Sequence, residues 1–193
     1  MPSPLVEPLP RPVPRLERQI DSVSLSEWPG RRGPLVCLGD PLGSLPNLAE
    51  ALAAALSPDW RVVQPTLAPE APYQAHAAQT LWLLETFGFE QSVLLGSGLA
   101  AGVVLLVAAW YPTRVAGLVL VSPGLTRARR LKVEALAAEQ PAWRAWLDTP
   151  PLWSRLERQV ACPVLRVRGR GVRHVVDAAR TFVDSRVECQ RCC

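Results

Sequence analysis

One apolar stretch, interrupted by a Gly-Ser-Gly tripeptide, constrains this chain more than any other feature. Ser92-Val93-Leu94-Leu95 is short and apolar, Gly96-Ser97-Gly98 follows, and the chain then stays uncharged as far as Arg114. Small residues between a short apolar run and a longer one read as strand, tight turn and helix. Residues 92–111 approach the ~20 apolar residues that a membrane span needs. The glycines divide them, however, and a second strand-like run, Val115-Ala116-Gly117-Leu118-Val119-Leu120-Val121, follows Arg114. The pattern therefore predicts a strand–turn–helix unit and no membrane span.

The rest of the chain repeats that alternation. Leu35-Val36-Cys37-Leu38, Arg61-Val62-Val63-Gln64-Pro65 and Val164-Leu165-Arg166-Val167 read as strands, and residues 18–28 as one or two antiparallel edge strands. Residues 45–56, 73–87, 99–110 and 175–183 read as helices, and residues 127–163 as two short ones. Several strands are apolar on both faces. This predicts an α/β fold, a mostly parallel sheet with helices on both faces.

Length and composition bound the rest. The chain has 193 residues, 49% of them hydrophobic, enough for a single domain over 16–193. Residues 1–15 are a proline-rich lead-in, expected to be extended or disordered. Net charge is +4, and Lys132 is the sole lysine. No aromatic-basic interleaving accompanies the arginines, so no nucleic-acid partner is expected. Cys37 and Cys162 lie in apolar strand patterns, as small buried hydrophobes do. Cys189, Cys192 and Cys193 lack a second Cys/His pair at zinc-finger spacing, so no metal site is expected. No secretory pattern opens the chain, and a reduced, cytoplasmic protein is the expectation.

The order of motifs resembles the α/β-hydrolase superfamily, in its single-domain branch of proline-iminopeptidase and haloperoxidase type. Residues 35–44 are similar to its third strand and oxyanion loop, 60–65 to the strand before the substrate-facing loop, and 87–96 to the approach to its nucleophile elbow. Residues 111–121 and 162–169 are similar to the two later strands, and Arg186-Val187-Glu188-Cys189 to the last. In the family a serine stands at the apex of a strand-to-helix turn flanked by small residues, with Asp or Glu and then His following in the chain. Here Gly96 and Ala100 are the small flanks, so the apex is Gly98. The resemblance puts the acid at Val172 and the histidine at about the last residues of the chain. The His-Gly pair of the oxyanion loop is replaced by Gly39-Asp40, whose carboxylate opposes an oxyanion.

These departures predict a protein without the Ser-Asp-His triad, binding a small apolar molecule or a protein partner, with no cofactor. Its pocket would be lined by Gly39, Asp40, Gly96, Ser97, Gly98, Leu99, Trp143 and Trp146, beneath a reduced lid segment at 126–160. One alternative is a weak esterase with Ser97 as nucleophile, His174 as base and Asp40 as its orienter. Leu95 and Leu99 would then flank the apex, and both are bulky for such a turn. Another alternative is a truncated hydrolase remnant. Ser97 otherwise serves to bond the local turn backbone. Trp143 and Trp146 read as caps on the core or as a short lid. Trp82 and Trp110 read as packing residues on core helices, His76 as a surface or satisfied helix histidine, and Arg127, Arg129 and Arg130 as a solvated face.

Overall fold

A computed structural model describes residues 14–191, apart from 22, 57–59, 70, 149–152 and 169–170. Most of the proline-rich lead-in and two of the tail cysteines, Cys192 and Cys193, lie outside the described residues. The strands are β1 (Leu16–Ile20), β2 (Val23–Trp28), β3 (Arg32–Leu38), β4 (Trp60–Pro65), β5 (Ser92–Ser97), β6 (Val115–Val121) and β7 (Val164–Val167). They form one sheet in the order β1-β2-β4-β3-β5-β6-β7. The β1–β2 and β2–β4 pairs are antiparallel, and every pair from β4 to β7 is parallel.

The period-2 alternation of a strand divides its side chains between two cores. Val36, Leu38, Leu94, Leu118 and Leu120 join one core, with residues of α2 (Tyr73–Thr86) and α3 (Ala100–Trp110). Leu35, Cys37, Val93, Leu95, Val119 and Val121 join the other, with α1 (Leu48–Leu56) and α7 (Val172–Arg191). Apolar burial on both faces is what made these strands read as continuous hydrophobic runs. After β6 come α4 (Arg127–Glu139), a 3-10 turn at Pro141–Arg144, α5 (Ala145–Asp148) and α6 (Trp153–Glu157). Among the described residues, no helix is long and apolar enough to cross a membrane.

Two expectations fail here. Residues 186–189, read as the last strand, lie inside α7. Val187 is the single β-branched residue in that stretch, and an established helix extends at little cost where no alternating apolar face competes. Among the described residues, no strand follows β7. Trp110, expected in the core, is 49% exposed. It closes the last turn of α3, beside Tyr111, which is also exposed.

Candidate functional site

The strand–turn–helix unit forms as its small residues require. β5 ends at Ser97, Gly98 turns the chain with φ 57°, and α3 begins at Ala100. A Cβ on Gly96 would stand 2.7 Å from Ala101 Cα and 2.8 Å from the Ala100 carbonyl oxygen. Those are backbone atoms that cannot step aside, so strand and helix meet this closely only around glycine. The left-handed φ of Gly98 is costly for any other L-residue. Its N–H is fixed by the Val121 carbonyl of β6 at 2.9 Å.

The space above Gly98 belongs to Asp40, which follows β3. A Cβ built on Gly98 would lie 2.8 Å from Asp40 Oδ1 and closer still to its Oδ2 and Cγ. The Asp40 side chain is fully buried and its oxygens are well partnered. Oδ1 accepts from the Leu42 N–H at 3.2 Å and from the Leu99 N–H, at the start of α3, at 3.5 Å. The Ser44 hydroxyl donates to Oδ2, and Arg129 Nε lies 3.6 Å from that oxygen. A carboxylate that accepts from the N–H at a helix start is well placed by the helix dipole.

Ser97 is buried beneath this arrangement, its Oγ accepting from the Asp40 N–H at 2.8 Å. It therefore ties the turn to a loop 57 residues away in sequence rather than bonding the local turn backbone. His174, in the first turn of α7, is exposed, and no hydrogen bond or ion pair joins it to Ser97 or Asp40 among the described residues. Val172 opens the same helix and packs, half-buried, against the core that holds α1. The structure thus brings Asp40, Ser97, Gly98 and Leu99 together and leaves His174 apart from them. Gly39 follows β3 with Gln64 Nε2 only 3.2 Å from where its Cβ would be.

Sequence reasoning missed two participants. Arg129, assigned to a solvated face, keeps only 18% of its side chain exposed. Its Nη1 donates to the Ser122 carbonyl at 2.8 Å and the Gly124 carbonyl at 3.3 Å. Tyr73 is fully buried, and burial, reinforced by the nearby Asp40 carboxylate, pushes its phenol well above the usual range. A Tyr opening an amphipathic helix carries no sequence signal for this burial or for the nearby carboxylate.

The tryptophan segment closes one core. Trp146 is fully buried, edge-on to Tyr73 at 4.8 Å between ring centroids and stacked on His76 at 5.1 Å. His76 is buried as well, so its reading as a surface residue fails, while its ring packs against Trp146 and its Nδ1 stands 3.4 Å from Gln79 Oε1. Trp143 is half-buried against the same core. Among the described residues, no group of three or more metal-ligating side chains occurs.

Comparison with known proteins agrees with this architecture. Residues 37–161 match the alpha/beta hydrolase fold family. A similar solved structure is an α/β-hydrolase enzyme from the sediment metagenome of the Mar Chica lagoon, Morocco. It has TM-score 0.65 and 15% identity, over 91% of this chain and 98% of that one. The thioesterase domain from the curacin biosynthetic pathway gives TM-score 0.57 and 12% identity, over 91% and 99%. An epoxide hydrolase from Vigna radiata gives TM-score 0.50 and 17% identity, over 67% and 44%. At these identities the likeness is one of fold. No curated protein matches the chain in sequence. With the family match spanning more than half the chain, and with the sheet order and the turn after β5 described above, this chain belongs to the alpha/beta hydrolase fold family.

Proposed function

We propose that this chain is a degenerate, short-lidded member of its family that lacks the Ser-Asp-His triad and binds a ligand or a protein partner instead of hydrolysing a substrate. One observation carries the reading. The turn where the family presents its nucleophile holds Gly98, and the Asp40 carboxylate fills the volume a side chain there would need. A hydrolase of this type attacks a carbonyl and stabilises the oxyanion with backbone N–H groups at the turn. Here the Leu99 N–H already faces a carboxylate of the protein itself. The burial of Ser97 and its bond from the Asp40 N–H weigh against the alternative nucleophile. An exposed His174 without a bond to Ser97 weighs against its base.

The test is to treat the full chain with a fluorophosphonate probe beside an active serine hydrolase and to map adducts by mass spectrometry. The proposal expects no adduct on this chain while the control labels. An adduct on Ser97 that is lost in Ser97→Ala would overturn it and establish the esterase alternative. Cooperative two-state unfolding of the same preparation would separate a maintained binding protein from a decayed remnant, whose transition would be broad.

A further inference from the structure

Helix α4 carries its cations at the end where its dipole opposes them. Arg127, Arg129 and Arg130 lie in or next to its first turn, which has no acidic residue. Partial positive charge at a helix start disfavours cations there and favours anions. The Asp40 carboxylate near Arg129 relieves this only in part, at 3.6 Å.

The same helix start forms one wall of a cleft of about 390 Å³. Thr126 and Arg129 line it with Ser122, Gly124, Arg166 and Arg168. The cleft lies at the carboxyl ends of β6 and β7, the edge where open α/β sheets take ligands. Three guanidiniums face one carboxylate, Glu157, and Glu157 is already paired with Arg166. Arg168 is exposed and has neither an ion pair nor a hydrogen bond among the described residues. Arg129 commits Nη1 to two carbonyls, while no acceptor among the described residues takes its Nη2 hydrogens.

The wall is also preorganised. Ser122 has φ 44°, a conformation that costs a non-glycine residue energy, and its N–H donates to the Val167 carbonyl at 2.9 Å. That backbone aims the Ser122 carbonyl at Arg129 and holds the guanidinium in place.

We propose that this cleft binds a small organic molecule through its oxyanion, a carboxylate or a phosphate. The oxyanion accepts from Arg129 Nη2 and from the Arg168 guanidinium, with the N-terminus of α4 behind them. The proposal rests on the binding-protein reading above and specifies the chemistry of its ligand.

The experiment is isothermal titration of the full chain with benzoate and with phenyl phosphate at constant ionic strength, with chloride as the control. The expected result is saturable binding of at least one probe, and the tighter of the two identifies the oxyanion. Arg168→Ala should weaken that binding about tenfold, the worth of a charge-assisted hydrogen bond. Glu157→Gln, which removes the competing carboxylate, should strengthen it. Absence of saturable binding by both probes would overturn the proposal, as would Arg168→Ala binding like the unaltered chain. The fluorophosphonate result separates the two ideas. Failed binding without an adduct defeats the cleft alone, whereas a Ser97 adduct defeats the binding-protein reading.

Discussion

The Asp40 carboxylate and Gly98 exclude one another's alternatives: a side chain at 98 would occupy the space that Asp40 holds. Asp40 keeps that place because it is fully buried and fixed by Leu42, Ser44, Leu99 and Arg129. A serine at 98 therefore meets two penalties, the left-handed φ and a displaced, partnered carboxylate. Gly98→Ser is expected to cost about 2–4 kcal/mol in urea unfolding and to create no esterase activity. Asp40→Ala should also destabilise the chain, yet the double variant should recover part of the serine's cost. Additive effects in that cycle would show that the two residues do not compete for the same space.

Trp146 and Tyr73 make opposite predictions although they touch. Trp146 is among the largest fully buried side chains, so Trp146→Ala opens a cavity and should cost about 3–5 kcal/mol. The Tyr73 hydroxyl has no hydrogen-bond partner among the described residues. Removing it in Tyr73→Phe relieves a desolvated polar group and leaves the ring contact with Trp146 intact. The change should lie within about 0.5 kcal/mol of neutral, or stabilise. A loss as large as that of Trp146→Ala would mean that the hydroxyl does work through a bond, for instance to an ordered water.

The sequence made the sheet legible and left the site half-hidden, for different reasons. β5 and β6 carry local patterns: apolar runs of strand length, bounded by glycine or by Ser-Pro. The tight turn was legible because only glycine at 96 lets α3 approach β5 so closely. The contact of Asp40 with Arg129, and the bond from its N–H to Ser97, join residues far apart in the chain. No periodicity encodes such pairings. Arg129 looked like one cation in a basic run, and its burial follows only from the way α4 docks beside the Asp40 loop. The last strand was misread because the family order, rather than the local pattern, suggested it. Val175, Val176, Ala179 and Val183 already spell the apolar face of a helix.

Alkaline pH should weaken the fold through two buried groups. Burial raises the Cys37 thiol from 9.0 to about 12 and pushes the Tyr73 phenol upward as well. Each group stays protonated in the folded chain while its unfolded counterpart ionises. The unfolded state then binds fewer protons, so stability falls as pH rises. The Cys37 contribution is fully present below about pH 9 and is lost between about 9 and 12. Unfolding free energies from urea titrations across that window should fall, by up to about 1.4 kcal/mol per pH unit for each group. Cys37→Ala should flatten the slope, and an unchanged slope would mean that Cys37 ionises in the folded chain as it does in the unfolded one. Thiol reagents at pH 8 should label Cys37 only after unfolding.

Glu27 offers a test of which ion pair matters in the antiparallel part of the sheet. Its side chain is almost fully buried, with Arg61 Nη2 and Nε both 2.6 Å from Oε1 and Arg18 Nε 2.8 Å from Oε2. Arg18 is 46% exposed, so water screens its contribution, whereas Arg61 is 26% exposed and lies over the Phe87 and Phe89 rings at 4.7 and 5.0 Å. Removing Arg61 leaves a buried carboxylate short of its main partner and strips packing from two rings. Arg61→Ala should therefore cost about 2–4 kcal/mol, and Arg18→Ala no more than about 1. Arg61→Met keeps the apolar stem but not the charge, so its cost should fall between those two and should separate ring packing from the ion pair. Raising salt should shrink the Arg18 effect and leave the Arg61 effect nearly intact, because screening reaches the exposed pair first. A larger loss for Arg18→Ala than for Arg61→Ala would reverse this ranking and make the exposed pair the one that neutralises Glu27.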